Sequence, residues 1–142
     1  MVLYAKDILE KDFLSLSQGT SILEAAKAMN ASKHGFVIVG SPEIPEGIVT
    51  EWDVVAKVVA EGRDTTRTTL GDIMTRELFT MKANESISTV AKLMSERGVR
   101  RVVIKDGGKV VGYITAKTVL ANLEAYVDKV SAQISRLQAP WF

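Results

Sequence analysis

Apolar positions recur along this chain in two alternating rhythms. Ile22, Ala25, Ala26 and Met29 stand at i, i+3, i+4 and i+7, the spacing that lines one side of an α-helix. The same spacing returns at Ile87, Val90, Ala91 and Met94. On either side lie apolar runs too short for helices, at residues 13–16, 36–39, 78–81 and 101–104, which predict strands. Returning strands are predicted at residues 47–50 and 110–115. The first follows a turn over residues 41–47, the second a tight Asp106-Gly107-Gly108 turn that signals a hairpin. A second helix follows each returning strand, from residue 51 to about 61 and from 116 to about 131 or beyond. Ser21 and Glu24 have the spacing of a capping box, and Gly35 and Gly98 stand near helix ends, where left-handed caps are common.

The order β-α-β-β-α therefore runs twice. Residues 6–55 overlay residues 71–120 at a constant offset of 65 without a gap, and 11 of the 50 pairs are identical. Asp7/Asp72, Met29/Met94, Gly47/Gly112 and Thr50/Thr115 are among them. The expected fold is α+β, with two similar units packed about a pseudo-two-fold axis and ligand-sized crevices between them. Unit one is expected over residues 1–62, a polar linker over 63–69, unit two over 70–125 and a helical extension over 126–142. Leu120, Leu123, Val127, Val130, Ile134 and Leu137 give that extension a heptad-like seam, which packs on its own domain or on a second copy. It ends at Pro140-Trp141-Phe142, to which no role is assigned.

Composition narrows the chemistry. The 142 residues are 46% apolar, enough for a real core, and the net charge of +1 comes from interspersed acids and bases. A nucleic-acid footprint would need a strongly basic face, so no nucleic-acid partner is expected. No apolar run approaches the ~18 residues that cross a bilayer, and the N-terminus lacks the pattern of a signal peptide. The absence of cysteine removes disulfides, thiol catalysis and thiolate metal sites, and fits a cytoplasmic protein. One histidine, His34, argues against a dedicated zinc site. There is no Gly-x-Ser-x-Gly and no P-loop, and Glu51 and Asp53 do not face one another as an acid/base pair would. No catalytic residue and no catalytic cofactor are expected, so the chain reads as a non-enzyme.

Three stretches carry a family resemblance: Asp72-Ile-Met-Thr75, Met94-Ser-Glu-Arg-Gly98, and the strand–turn–strand of residues 102–115. With Gly47-Ile-Val-Thr-Glu-Trp-Asp53 in unit one, they resemble the CBS domain, the cystathionine-β-synthase repeat, over about residues 6–125. The resemblance implies a Bateman module of two repeats, assembly into a disc-shaped homodimer, and AMP, ADP, ATP or S-adenosylmethionine bound between repeats. It also implies a regulated protein that the sequence does not identify.

The family's ribose–phosphate motif, Gly-hydrophobic-x-Thr/Ser-x-x-Asp, is met at Gly47, Ile48, Thr50 and Asp53. A threonine hydroxyl can donate to phosphate, and a carboxylate can accept from both ribose hydroxyls. Thr50-x-x-Asp53 is equally the spacing of a capping box. Unit two has Thr118 where the carboxylate should be, so its crevice is expected to be empty or weak, with Thr115 and Lys117 still able to hold a phosphate. His34 matches a position from which some family members contact nucleotide, Arg100 and Arg101 are candidates for phosphate, and Ile48, Phe79 and Val99 for an adenine wall. Trp52 reads as a packing or dimer residue. The expected function is an energy or metabolite sensor that binds an adenine nucleotide. The alternatives are a ligand-free dimerisation module and a sensor of another adenosyl ligand.

Overall fold

The computed structural model describes residues 2–136, and in it the two halves of the chain form two three-stranded sheets. The elements of the first half are α1 (Ala5–Ile8), β1 (Leu14–Leu16), α2 (Ile22–Ser32), β2 (Phe36–Gly40), β3 (Pro45–Thr50) and α3 (Glu51–Val54), which runs on into a π-helical turn, Val55–Val59. Those of the second are α4 (Leu70–Ile73), β4 (Thr80–Lys82), α5 (Ile87–Arg97), β5 (Arg101–Asp106), β6 (Lys109–Thr115) and α6 (Ala116–Ser135). The sheets have the orders β1-β2-β3 and β4-β5-β6, each with one parallel and one antiparallel pairing. The duplication extends to their irregularities, since the ladder shifts register at Val39/Gly40 and again at Ile104/Lys105. This is the expected α+β architecture.

Strand alternation explains how the sheets meet. Val37 and Val39 face the helices with Ile22, Ala25 and Met29, and Val102 and Ile104 do the same with Ile87, Val90 and Met94. The residues out of phase with them, Phe36, Ile38 and Val103, meet between the two sheets together with Val110. The central strands are buried on both faces, which is why residues 36–39 form an unbroken apolar run. Phe36 is only 2% exposed, and burial of such a ring contributes about 1.5–3 kcal/mol.

Local signals were met unevenly. Ser21 Oγ accepts from Glu24 N at 3.2 Å, and Ser86 Oγ from Thr89 N at 3.2 Å, so α2 and α5 are capped alike, and of the capping box expected at Ser21 and Glu24 only the serine's half is formed. Gly98 is the left-handed cap of α5 (φ 63°), as the sequence suggests. The cap of α2 is Lys33 (φ 61°), not Gly35. A non-glycine there costs about 1–2 kcal/mol. Gly35 serves a different purpose, since an added Cβ would lie 3.1 Å from Arg101 Nη2 and from Glu51 Oε1. The helix expected over 51–61 is one α-turn followed by a π-turn, in which Ala60 N donates to Val55 O at 2.9 Å. Its run of β-branched Val54, Val55, Val58 and Val59 is a poor α-helix former.

The pattern did not predict α1 and α4, which are single turns. Each is capped by a repeat-matched aspartate: Asp7 Oδ2 accepts from Tyr4 N at 2.8 Å, and Asp72 Oδ2 from Thr69 N at 2.9 Å. The Thr69 amide and hydroxyl hold the Asp72 carboxyl below its ordinary pKa. These turns cross over. Ala5 and Ile8 complete the core of unit two, and Leu70 and Ile73 complete that of unit one. Ala5 N donates to Glu85 O at 2.8 Å, and Leu70 N to Thr20 O at 2.9 Å.

Past Val119, α6 leaves the core. Leu120, Leu123, Val127 and Ile134 are exposed and Val130 is half-buried, so most of the seam is left uncovered by its own domain. Leu137 and Pro140-Trp141-Phe142 lie outside the described residues. No helix among the described residues is long and apolar enough to cross a membrane.

Candidate functional site

The chain that follows each short helix returns beside the last strand of the unit it has joined. Ile48 N donates to Thr75 O at 2.9 Å, and Thr75 N to Ile48 O at 3.0 Å. The matching bridge joins Glu10 and Tyr113, at 2.8 and 3.0 Å. This insertion explains the glycine of the motif. A Cβ on Gly47 would lie 2.8 Å from Thr75 O, and one on Gly112 2.3 Å from Glu10 O. In both units the space left by the missing side chain is filled by the protein's own backbone. Each strand-to-helix turn therefore lies beside an inserted segment, and these two places are where the crevices expected from the sequence fall.

In the first crevice Thr50 is the N-cap of α3. Its Oγ1 accepts from Asp53 N at 3.2 Å, and Asp53 Oδ2 accepts from Thr50 N at 2.8 Å. The capping box is therefore formed. Asp53 Oδ1 lies 3.2 Å from Lys57 Nζ, and the same ammonium donates to Ile73 O at 3.0 Å. Lys57 thus ties the carboxylate to the end of α4. The Asp53 side chain is 16% exposed, and each carboxylate oxygen keeps a lone pair after these bonds. Thr50 acts only as acceptor in the cap, so its hydroxyl proton is free to donate. Sequence reasoning missed Lys57, although its i,i+4 spacing from Asp53 was a readable signal.

The other residues proposed from sequence divide among different neighbourhoods. His34, 12% exposed at its side chain, has Nε2 3.4 Å from Asp12 Oδ2 and its ring edge-on to Tyr113 at 6.4 Å. It therefore faces the second crevice rather than Thr50 and Asp53. The Arg101 guanidinium lies over the Phe36 ring at 4.7 Å, between the sheets, and its Nε is buried without a hydrogen-bond partner. Arg100 is exposed, and its carbonyl accepts from Ala116 N at 2.9 Å. Phe79 and Val99 pack at the margin of the unit-two core, with Arg97 over the Phe79 ring at 5.2 Å. Ile48 joins the contact between the sheets, and Trp52 is 71% exposed.

In the second crevice Thr118 N donates to Thr115 Oγ1 at 3.1 Å, and the two hydroxyls lie 2.9 Å apart. The Thr118 hydroxyl also lies 3.5 Å from Glu10 Oε1. A carboxylate is therefore present beside the position where the motif lacks one, supplied by the inserted segment. Burial raises the Tyr113 phenol above its ordinary pKa, with the charge of Glu10 adding to the effect. Lys117 is exposed. Glu10 was legible only as the partner of Thr75 in the repeat alignment.

A family model described as the CBS domain matches residues 5–60 and again residues 70–125. The chain belongs to the CBS domain family. Each matched repeat begins at its own short helix, so each CBS repeat lends that helix to the core of the other. The chain is 29% identical to an uncharacterized protein of Methanopyrus kandleri over 136 residues, covering 93% of this chain and 68% of the relative. An uncharacterized conserved protein from Pyrococcus horikoshii superposes with a TM-score of 0.77 at 27% identity, over 87% of this chain and 93% of that one. The CBS domain pair of protein MJ0100, solved with 5′-methylthioadenosine and S-adenosyl-L-methionine, superposes with a TM-score of 0.76 at 28% identity, over 89% of this chain and 99% of that one.

Proposed function

We propose that this CBS pair is a non-catalytic regulatory module that binds an adenine nucleotide at the Thr50–Asp53 crevice and signals its occupancy to a protein partner. The observation that carries the reading is the free capacity of that turn. Thr50 has a hydroxyl proton to donate, Asp53 has lone pairs to accept with, and Lys57 holds an ammonium 3.2 Å from the carboxylate. Ribose hydroxyls would donate to Asp53, and phosphate would accept from Thr50 and Lys57. Ile48 would border the base, and Gly47 keeps the inserted segment in place beneath it. Arg100 and Arg101 are further cations for phosphate, and Phe79 and Val99 further apolar surface. His34 would serve the second crevice. The adenosyl ligands bound to the MJ0100 pair support the ligand class. The Lys57 ammonium favours a phosphate-bearing member of that class.

A signal would arise from unequal affinity for two packings of the sheets. Trp52, Val55, Leu120 and Leu123, all exposed, offer an apolar surface for a homodimer. A cytoplasmic setting fits such a ligand.

Isothermal calorimetry with AMP, ATP and S-adenosylmethionine tests the reading. The expected result is nucleotide binding that Asp53→Ala weakens. Binding of S-adenosylmethionine alone would replace the nucleotide with the other adenosyl ligand. Heat from none of the three would leave the dimerisation module.

A further inference from the structure

A cleft of about 750 Å³ opens on unit two, away from both crevices. It is bounded by the end of β4, the turn into α5, the β5–β6 hairpin tip and α1. Lys6, Lys82 and Lys105 line it. Backbone bonds fix all three: Lys82 and Lys105 are register partners in the parallel pairing, Ala83 N donates to Lys105 O at 3.0 Å, and Lys6 N to Ala83 O at 2.9 Å. Neighbouring strands are ~4.8 Å apart, so two ammonium stems start side by side, a pairing that destabilises a sheet. Lys57, Lys92 and Lys109 each have a carboxylate partner, and none of Lys6, Lys82 and Lys105 shares in those ion pairs. The Lys6 ammonium rests over the Tyr4 ring at 5.6 Å. Glu85 and Asp106 line the same cleft and offset part of the charge.

The duplication supplies an internal control. Unit one has the matching concavity, about 690 Å³, and the matching bond, Gly71 N to Gln18 O at 3.0 Å. In place of Lys82, Lys105 and Lys6 it has Ser17, Gly40 and Gly71. The fold produces the concavity twice, and the lysines appear once. Edge protection accounts for Lys82 alone. Lys105 is on the central strand, Lys6 is on a helix, and the edge strand of unit one has no lysine.

We propose that this cleft binds a compact polyanion carrying two or more linked phosphates, at a site separate from the Asp53 crevice. Ammonium groups are point charges with rotatable donors, suited to phosphate oxygens without fixed geometry. The three ammoniums outnumber the two carboxylates of the cleft, and Lys82 and Lys105 stand one strand apart in register, a separation that two linked phosphates can bridge. The hairpin tip leaves the approach open: Gly107 and Gly108 have φ of 58° and 83°, and a Cβ on either would meet nothing within 4 Å.

The test is titration of the full chain with inorganic tripolyphosphate at constant ionic strength, followed by amide chemical shifts. The expected shifts centre on Lys82, Asn84, Lys105, Gly107 and Gly108. Joint Lys82→Gln and Lys105→Gln should weaken binding about 10-fold, and Asp53→Ala should leave it unchanged. Equal affinity in the double variant overturns the proposal. So do shifts centred on Thr50 and Asp53, or sulfate acting as well as tripolyphosphate. A parallel ATP titration identifies the source of the phosphates: competition at the cleft assigns them to a nucleotide, and none assigns them to a free polyphosphate. Because tripolyphosphate has no ribose, loss of nucleotide binding at Asp53 leaves this result intact.

Discussion

Replacing Gly112 by alanine tests how the crevices are built. The new Cβ would lie 2.3 Å from Glu10 O and 2.6 Å from Leu9 Cδ1, well inside contact distance. The leucine tip can turn away, but the carbonyl belongs to backbone held by two hydrogen bonds with Tyr113. If the segment shifts and keeps those bonds, overpacking costs about 1–3 kcal/mol. If the bridge breaks, two bonds of about 0.5–1.5 kcal/mol each are lost as well, for a total of about 2–6 kcal/mol. With a urea m-value of about 2 kcal/mol/M, the midpoint should then fall by roughly 1–3 M. Gly19→Ala is the control, since nothing lies within 4 Å of its Cβ and its stability should stay within about 0.5 kcal/mol of the parent. Gly47→Ala, with its nearest contacts at 2.8 Å, should fall between the two. Equal midpoints for Gly112→Ala and Gly19→Ala would show that the inserted segment does not need the glycine.

Other expectations follow from the crevices themselves. Asp53→Ala should weaken nucleotide binding about 10- to 150-fold, read by calorimetry, and cost only about 1 kcal/mol of stability through the lost cap. Thr118→Asp would set a second carboxylate beside Glu10. Rather than create a ribose site it should destabilise the fold at neutral pH, and the deficit should shrink as pH falls into the carboxylate range; a stable variant that gains a nucleotide would contradict this. The raised Tyr113 pKa means the folded state favours the neutral phenol, so its stabilisation is full below the unfolded tyrosine pKa of about 10 and is lost as pH rises through the folded value. Tyr113→Phe should therefore lose less stability than the parent on raising the pH above about 10, measured by urea unfolding at several pH values.

The sequence was most legible where one residue type serves one purpose. Ile22, Ala25 and Met29 repeat as Ile87, Val90 and Met94 because both sets face sheet cores, so the helices and the duplication could be read directly. The four residues of α1 are too few for a periodicity, and only Asp7 and Asp72 marked the short helices. Gly35 was misread because a glycine needed for left-handed backbone and one needed for close approach look alike in a string of letters. Thr50 and Asp53 were legible twice over, as motif and as cap, and the cap is formed. Glu10 could not be found from local spacing, because its contact with Thr118 spans 108 residues and depends on the crossing of the short helices.

That crossing bears on the order in which the molecule can assemble. The amides of Ala5 and Lys6 bond to carbonyls of Glu85 and Ala83, and Glu10 bonds to Tyr113. The segment of Ala5, Lys6 and Glu10 therefore has no binding partner until residues 83–113 are in place. The core of unit one, completed by Leu70 and Ile73, can close earlier. Non-local closures of this kind slow folding, and they leave Ala5 and Ile8 among the last core residues to be seated. Cutting the chain in the 63–69 linker should then yield halves that gain full structure only on mixing, each one carrying the other's missing turn.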